Sequence, residues 1–158
     1  MKEQIPLPNE ETKRNYIAAI KDTVLLRDII HLHSIKDPKL LEDVFIYLVN
    51  NASNLVSITN IVNFFKSNKR STSYETVSNY IGFITDTFLA HKVERYNIKG
   101  KETISGNAKY YINDLSFRNF LYPGFGYGLG YKLENLVFLE LRRDTRSMWE
   151  LWGIRKWI

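Results

Sequence analysis

The 158-residue chain contains no cysteine, which excludes a disulfide framework, a thiol nucleophile and a thiolate zinc site. No apolar run approaches the ~20 residues that a membrane helix needs. The charged start, with Lys2 and Glu3, is no signal peptide. These features point to a cytoplasmic protein with no membrane partner. Tryptophan is missing from almost the whole chain, since Trp149, Trp152 and Trp157 all fall in the last ten residues. What is abundant is 44% apolar and 14% aromatic side chains, enough to bury a core and to exclude global disorder.

The net charge of +5 is unevenly placed. Residues 1–65 hold seven basic and eight acidic groups, residues 66–109 hold eight and four, and the rest hold seven and five. A polyanion, if one binds, binds the middle segment.

Apolar spacing sets the element order. Tyr16, Ile20, Val24, Leu25 and Ile29 make one stripe on a helix over 10–33. Asp37-Pro38 starts the next helix, with Leu41, Val44, Phe45, Tyr47 and Leu48 buried and an end near Asn50-Asn51. Ser57 caps a third helix with Ile58, Ile61, Val62 and Phe65. Ser73 opens a fourth with Val77, Ile81, Ile84 and Phe88. Val93, Arg95, Tyr96 and Ile98 then suit a strand, Lys99 to Glu102 a turn, and Ala108 to Ile112 a returning strand. Asp114 caps a brief helix through Phe120. Pro123 to Gly130 reads as a loop, and a helix over Tyr131 to Arg143 follows. The fold class is mostly α with a small β-hairpin: a winged helix-turn-helix over 37–120 with a leading helix and a trailing helix.

Several stretches, in this order and spacing, carry a resemblance: Asp22 to Ile30, Thr76 to Tyr80, Val93 to Tyr96, Lys109 to Asp114 with Arg118-Asn119, and Leu133 to Phe138 with Glu140-Leu141. Over residues 10–143 the chain resembles the C-terminal region of prokaryotic AAA-type ATPases. The resemblance implies a P-loop ATPase, a winged helix and a C-terminal domain of unknown function similar to restriction-endonuclease-like folds. It makes residues 1–36 a linker from the missing ATPase part, 121–130 a glycine-rich linker, and 131–158 the start of a truncated nuclease-like domain. Ser116 stands where the family usually has glycine, which affects a local turn. Glu134 is the position that would begin a nuclease metal site, but the partners it needs are missing downstream, so capping or salt-linking its own helix is the plainer role.

Catalytic signatures are otherwise missing. A P-loop needs paired glycines and Lys-Ser/Thr around a phosphate, and Gly124 to Lys132 has neither the spacing nor the hydroxyl. The chain is therefore expected to bind no nucleotide, to hold no cofactor or metal, and not to be an enzyme. His31 and His33 point about 200° apart on a helix, and His91 is remote, so they make no zinc pair. DNA contact, if it occurs, falls to Lys66, Lys69, Arg70, Ser73, Tyr74, Ser78 and Asn79, with Lys99 and Lys101 on the wing. Two roles stay open: a non-catalytic module that docks a protein partner or DNA, and a free-standing winged-helix transcription regulator.

Residues 144–158 break the resemblance after Arg143 and hold every tryptophan. Back-translated with permitted codons and read in a shifted frame, they spell an alternating strand, a turn and a second strand reaching an aspartate. The expectation is an out-of-frame tail.

Overall fold

Each helix needs oxygen acceptors for the first amides it leaves free, and the polar residues before the helices supply them. In the computed structural model, which describes residues 9–97, 102–121 and 129–152, Asn9 accepts from the Thr12 N–H at 2.7 Å and opens α1 (Glu10–Lys21). The run widens into a π-helical stretch over Asp22–Ile29 and closes as α2 (Ile30–His33). The expected helix over 10–33 is thus one continuous run with wider turns in its middle. Asp37 accepts from the Leu40 N–H at 2.9 Å and starts α3 (Pro38–Asn50), with Pro38 in the first turn. Leu41, Val44, Phe45 and Leu48 are fully buried on one side of α3. Tyr47, expected among them, sits at the margin of that stripe, half-buried and edge-on to Phe64.

A short strand that the sequence pattern did not reveal, β1 (Leu55–Ser57), leads directly into α4 (Ile58–Ser67). Ser57 caps α4 by accepting from the Asn60 N–H, and Ser73 caps α5 (Tyr74–Asp86) by accepting from the Thr76 N–H. Phe88 does not join the buried face of α5. The helix ends before it, its φ of 60° turns the chain, and its ring is 61% exposed.

β2 (Ala90–Asn97) and β3 (Glu102–Ile112) form an antiparallel pair longer than the sequence pattern suggested. The register shifts between Glu94 and Arg95, opposite the part of β3 where Gly106 takes φ 105°. That backbone region favours glycine, as bulges often require. β1 pairs with the other edge of β3, giving the order β1-β3-β2. The expected wing tip, with Lys99 and Lys101, lies outside the described residues, as do residues 122–128 of the expected glycine-rich linker.

After β3, Asp114 accepts from the Ser116 N–H at 2.7 Å, and the chain makes a π-helical turn over Phe117–Leu121. The trailing helix, α6 (Leu129–Trp152), starts earlier and runs further than the expected 131–143. Its backbone continues as helix through the first part of the expected out-of-frame tail, because nothing in Asp144 to Trp152 is proline or glycine.

One buried cluster joins these elements. It takes Ile17 and Ile29 from the leading helical run, the inner faces of α3, α4 and α5, Val56 from β1, Ala108, Tyr110 and Ile112 from β3, and Phe117. Phe45 and Phe117 meet edge to face at 5.4 Å. The leading run therefore packs into the same core as the helices that follow it.

Candidate interaction site

The basic turn between α4 and α5 divides into free and engaged side chains. Lys66 and Lys69 are exposed, and Lys69 takes φ 59° where the α4 end turns left-handed. Arg70 faces the other way. One guanidinium nitrogen meets both Asp37 oxygens at 3.0 and 3.1 Å, and another meets Asp43. The Leu40 amide and then Arg70 hold the Asp37 carboxyl below its ordinary value. Arg70 thus ties the turn to the start of α3 instead of standing beside Lys69 for a phosphate. Ser73 Oγ is likewise occupied, by the Thr76 amide and by Thr76 Oγ1 at 2.9 Å. Tyr74 and Asn79 are exposed, and Ser78 is half-buried.

A second site, one the sequence reading did not resolve, is the seat of α6. Asn135 is fully buried; its Oδ1 accepts from the Ile112 N–H at 2.8 Å and its Nδ2 donates to the Ile112 carbonyl at 2.9 Å. The Asn113 N–H, one residue on, donates to the Leu89 carbonyl, so Ile112 points its polar groups away from β2. On that same edge β1 pairs with residues 107–109 and the Ser53 N–H donates to the Tyr110 carbonyl. The Asn135 amide therefore extends the ladder where β1 stops.

Around this amide, Glu134 Oε1 accepts from Lys109 Nζ at 2.6 Å and from the Tyr111 hydroxyl at 2.8 Å. Lys109 foremost holds the Glu134 carboxyl below its ordinary value, while burial and Glu134 push the Tyr111 hydroxyl up to about 12. Tyr111 also stacks on Phe138 at 3.9 Å. Glu134 thus makes a salt link, and among the described residues no group of three acidic or histidine side chains could hold a metal ion. His91 lies buried beside Phe138 and Phe88, with Nε2 3.4 Å from Asn113 Oδ1. Burial first, and Arg142 second, depress its pKa. His33 stacks on Phe83 instead.

The opposite face of α6 is open and carries four apolar side chains around Glu140, which pairs with Arg143 at 2.6 Å. Leu133, Leu136, Val137 and Leu141 are each about half exposed, from 47% to 62%. At about 100° per residue they span one arc, and Asn135, Phe138 and Arg142 fall on the other side. The signal was in the sequence: an asparagine inside Leu-Glu-Asn-Leu-Val-Phe is misplaced for an apolar stripe and marks a polar plug.

These features define a mostly helical domain with a small three-stranded antiparallel sheet. Among the described residues no helix is long and apolar enough to cross a membrane. Residues 4–129 match a family described as a domain of unknown function (DUF8612), and the chain belongs to that family. A protein of Haemophilus influenzae, named only as uncharacterised, is 34% identical over 144 residues, which is 91% of this chain and 36% of the relative. A second uncharacterised protein, from Methanocaldococcus jannaschii, is 33% identical over 137 residues, 87% of this chain and 30% of the relative. The chain spans about a third of the length of these relatives. No solved structure matches it.

Proposed function

We infer that this chain is a non-catalytic docking module, a winged helix-turn-helix whose trailing helix offers an apolar face to the rest of a longer AAA-type ATPase-family polypeptide. The order α3, β1, α4, α5, β2, β3 supports the winged-helix reading, since β1 lies between the first two helices and pairs with the hairpin. The ATPase assignment rests on the motif resemblance alone, and relatives about three times as long fit a longer polypeptide of any activity.

The observation that carries the docking role is the exposed stripe on α6. A match of 144 residues within 158 takes in residues 15–144 wherever it starts, so the stripe lies in the region shared with the longer Haemophilus protein. A helix held on one face by a buried amide, with four exposed apolar side chains on the other, leaves apolar surface that a further contact would cover. The test is a titration of this chain against the remaining two thirds of the Haemophilus relative, expressed separately. A saturable complex that Val137→Asp abolishes is expected. No complex, together with tight sequence-specific duplex binding, would move the assignment to a free-standing DNA-binding regulator, the reading favoured by exposed Lys66, Lys69, Tyr74 and Asn79 at the start of α5.

The chain by itself should not bind or hydrolyse ATP, since its sequence offers no phosphate cradle. Calorimetric titration with Mg-ATP is expected to show no saturable site tighter than ~0.1 mM.

A further inference from the structure

The two edges of the sheet are finished differently. On the β1 side, Ser53 and Asn135 take up the Tyr110 carbonyl and both polar groups of Ile112 beyond the end of the strand. The outer side of β2 is open, since among the described residues no strand pairs with it. The direction of its backbone groups follows from β3. Tyr110 and Ile112 bond toward the β1 side, so Lys109 and Tyr111 bond toward β2, where Val93 and His91 stand opposite them. The alternate residues Lys92 and Glu94 therefore aim their N–H and carbonyl groups outward. The register shift after Glu94 leaves β2 regular, because the additional residues lie in β3 between Ile104 and Ala108.

An open edge is a template for a second strand, and charge of one sign, lysine above all, is a common guard against it. β2 has no such guard. Lys92 and Glu94 carry opposite charges, meet each other at 2.6 Å and are each 43% exposed. Val93 between them is 38% exposed and points to the other face of the sheet. In an antiparallel pair of identical strands, outward-facing residues of both must meet, so the two-fold axis passes through a residue. An axis at Lys92 or at Glu94 sets a charge against its own copy. An axis at Val93 sets Lys92 opposite Glu94 of the second copy, and Glu94 opposite its Lys92, in the hydrogen-bonded pairs. Val93 then meets itself in the closer non-bonded pair between them, apolar against apolar.

We propose that two copies of this chain pair through β2, antiparallel about a two-fold axis at Val93, and so join their sheets into one. Such a contact uses the same patch on both copies and stops at a dimer. The outer edges of the joined sheet are then the two β1 sides, short and already capped by Ser53 and Asn135.

Analytical ultracentrifugation of the full chain should show a concentration-dependent dimer that dissociates at ~10 µM, as small contacts do. Lys92→Glu and Glu94→Lys each set like charges opposite one another and should weaken it about tenfold. An equimolar mixture of these two variants should regain the dimer, because every cross-strand pair is again opposite in sign. A misfolded chain would not recover in this way. Lys92→Pro removes an outward N–H without touching the bonds to β3 and should also leave a monomer. In the unaltered protein the Lys92 and Glu94 amides should gain protection from hydrogen exchange as the dimer forms, whereas those of His91 and Val93 are protected throughout. A chain that stays monomeric up to ~1 mM, or a dimer that the charge variants leave unchanged, overturns the proposal. So does a dimer that Val137→Asp abolishes and Lys92→Glu spares, which would seat the second copy on α6. Lys92→Pro should leave the titration against the Haemophilus remainder unaltered, so failure here and failure of the docking role are separate results.

Discussion

The interior built from α3, α4, α5 and the sheet is apolar, whereas the seat of α6 is polar at its centre. Phe45, Leu41, Val44 and Leu48 are fully buried among other apolar side chains. Asn135 is as deeply buried, yet it is held by two hydrogen bonds to one residue of β3. The first kind of contact is non-directional and draws its strength from area. The second contributes less net stability but demands one position along the helix, because an amide two residues away would leave the Ile112 groups unpaired. The core thus supplies stability, and the α6 seat supplies register.

The largest effect should come from the core. Phe45→Ala is expected to cost roughly 3–5 kcal/mol, since the ring is fully buried and meets Phe117 edge to face. Urea denaturation followed by far-ultraviolet circular dichroism checks it. A loss under ~1 kcal/mol would show that the core is looser than its burial suggests.

Asn135→Leu comes next and sets the two regions apart. The substitution keeps the branched outline but puts bulkier methyl groups where the amide stood and strands the Ile112 N–H and carbonyl, at a cost of at least about 2–4 kcal/mol for the pair. That loss should be confined to α6. Hydrogen exchange should accelerate in 131–144 while the buried amides of α3 and α5 keep their protection. Uniform acceleration across both regions would mean that α6 folds as one unit with the core.

This difference also explains what the sequence could disclose. Most helix starts were legible, because Asp37, Ser57 and Ser73 act locally on amides three residues ahead. The stripes of α3 to α5 were legible through their period. β1 was not, since three residues carry no period and the strand exists only through its pairing with β3. Phe88 continued the α5 spacing, and only the left-handed turn after Asp86 removes it from the core. Of the basic candidates, composition could not tell that Arg70 would be drawn to Asp37 and Asp43, 33 and 27 residues earlier. Nor could it tell that the apolar stripe of α6 faces outward, because periodicity finds a face without saying which face is covered.

Acid should loosen the α6 seat before the core. Glu134 has a depressed pKa, so its contribution is present above the ordinary carboxylate value of 4.5 and is lost as pH falls through the folded value. His91 is also depressed, from 6.5. The unfolded chain takes up that proton first, so stability declines as pH falls from about 6.5 through the lower folded value. Alkali acts through Tyr111, whose contribution fades as pH rises from 10 toward about 12. Hydrogen-exchange protection in α6, taken relative to the intrinsic rate at each pH, should therefore fall from pH 6.5 downward, and His91→Gln should remove that first phase while leaving the carboxylate phase below it. A first phase that survives His91→Gln would assign it to another group.

The smallest expected effect on stability belongs to the open face of α6. Val137 is 54% exposed and makes no part of the buried cluster, so Val137→Asp should change the unfolding free energy by no more than about 0.5 kcal/mol. A carboxylate in mid-helix is far from either end of the macrodipole, and the acids three residues away on either side, Glu134 and Glu140, are already paired with Lys109 and Arg143, so their repulsion should be small. If the stripe is a docking face, the same change places a charge at the centre of an apolar contact and should weaken it at least a hundredfold, as expected when a charge is buried without a partner. The two readouts then diverge: melting unaltered, docking lost. A large drop in stability would instead show that Val137 already packs within the fold in solution. That result would join the two faces of α6 into one and remove the contrast between a helix held in register and a helix left open.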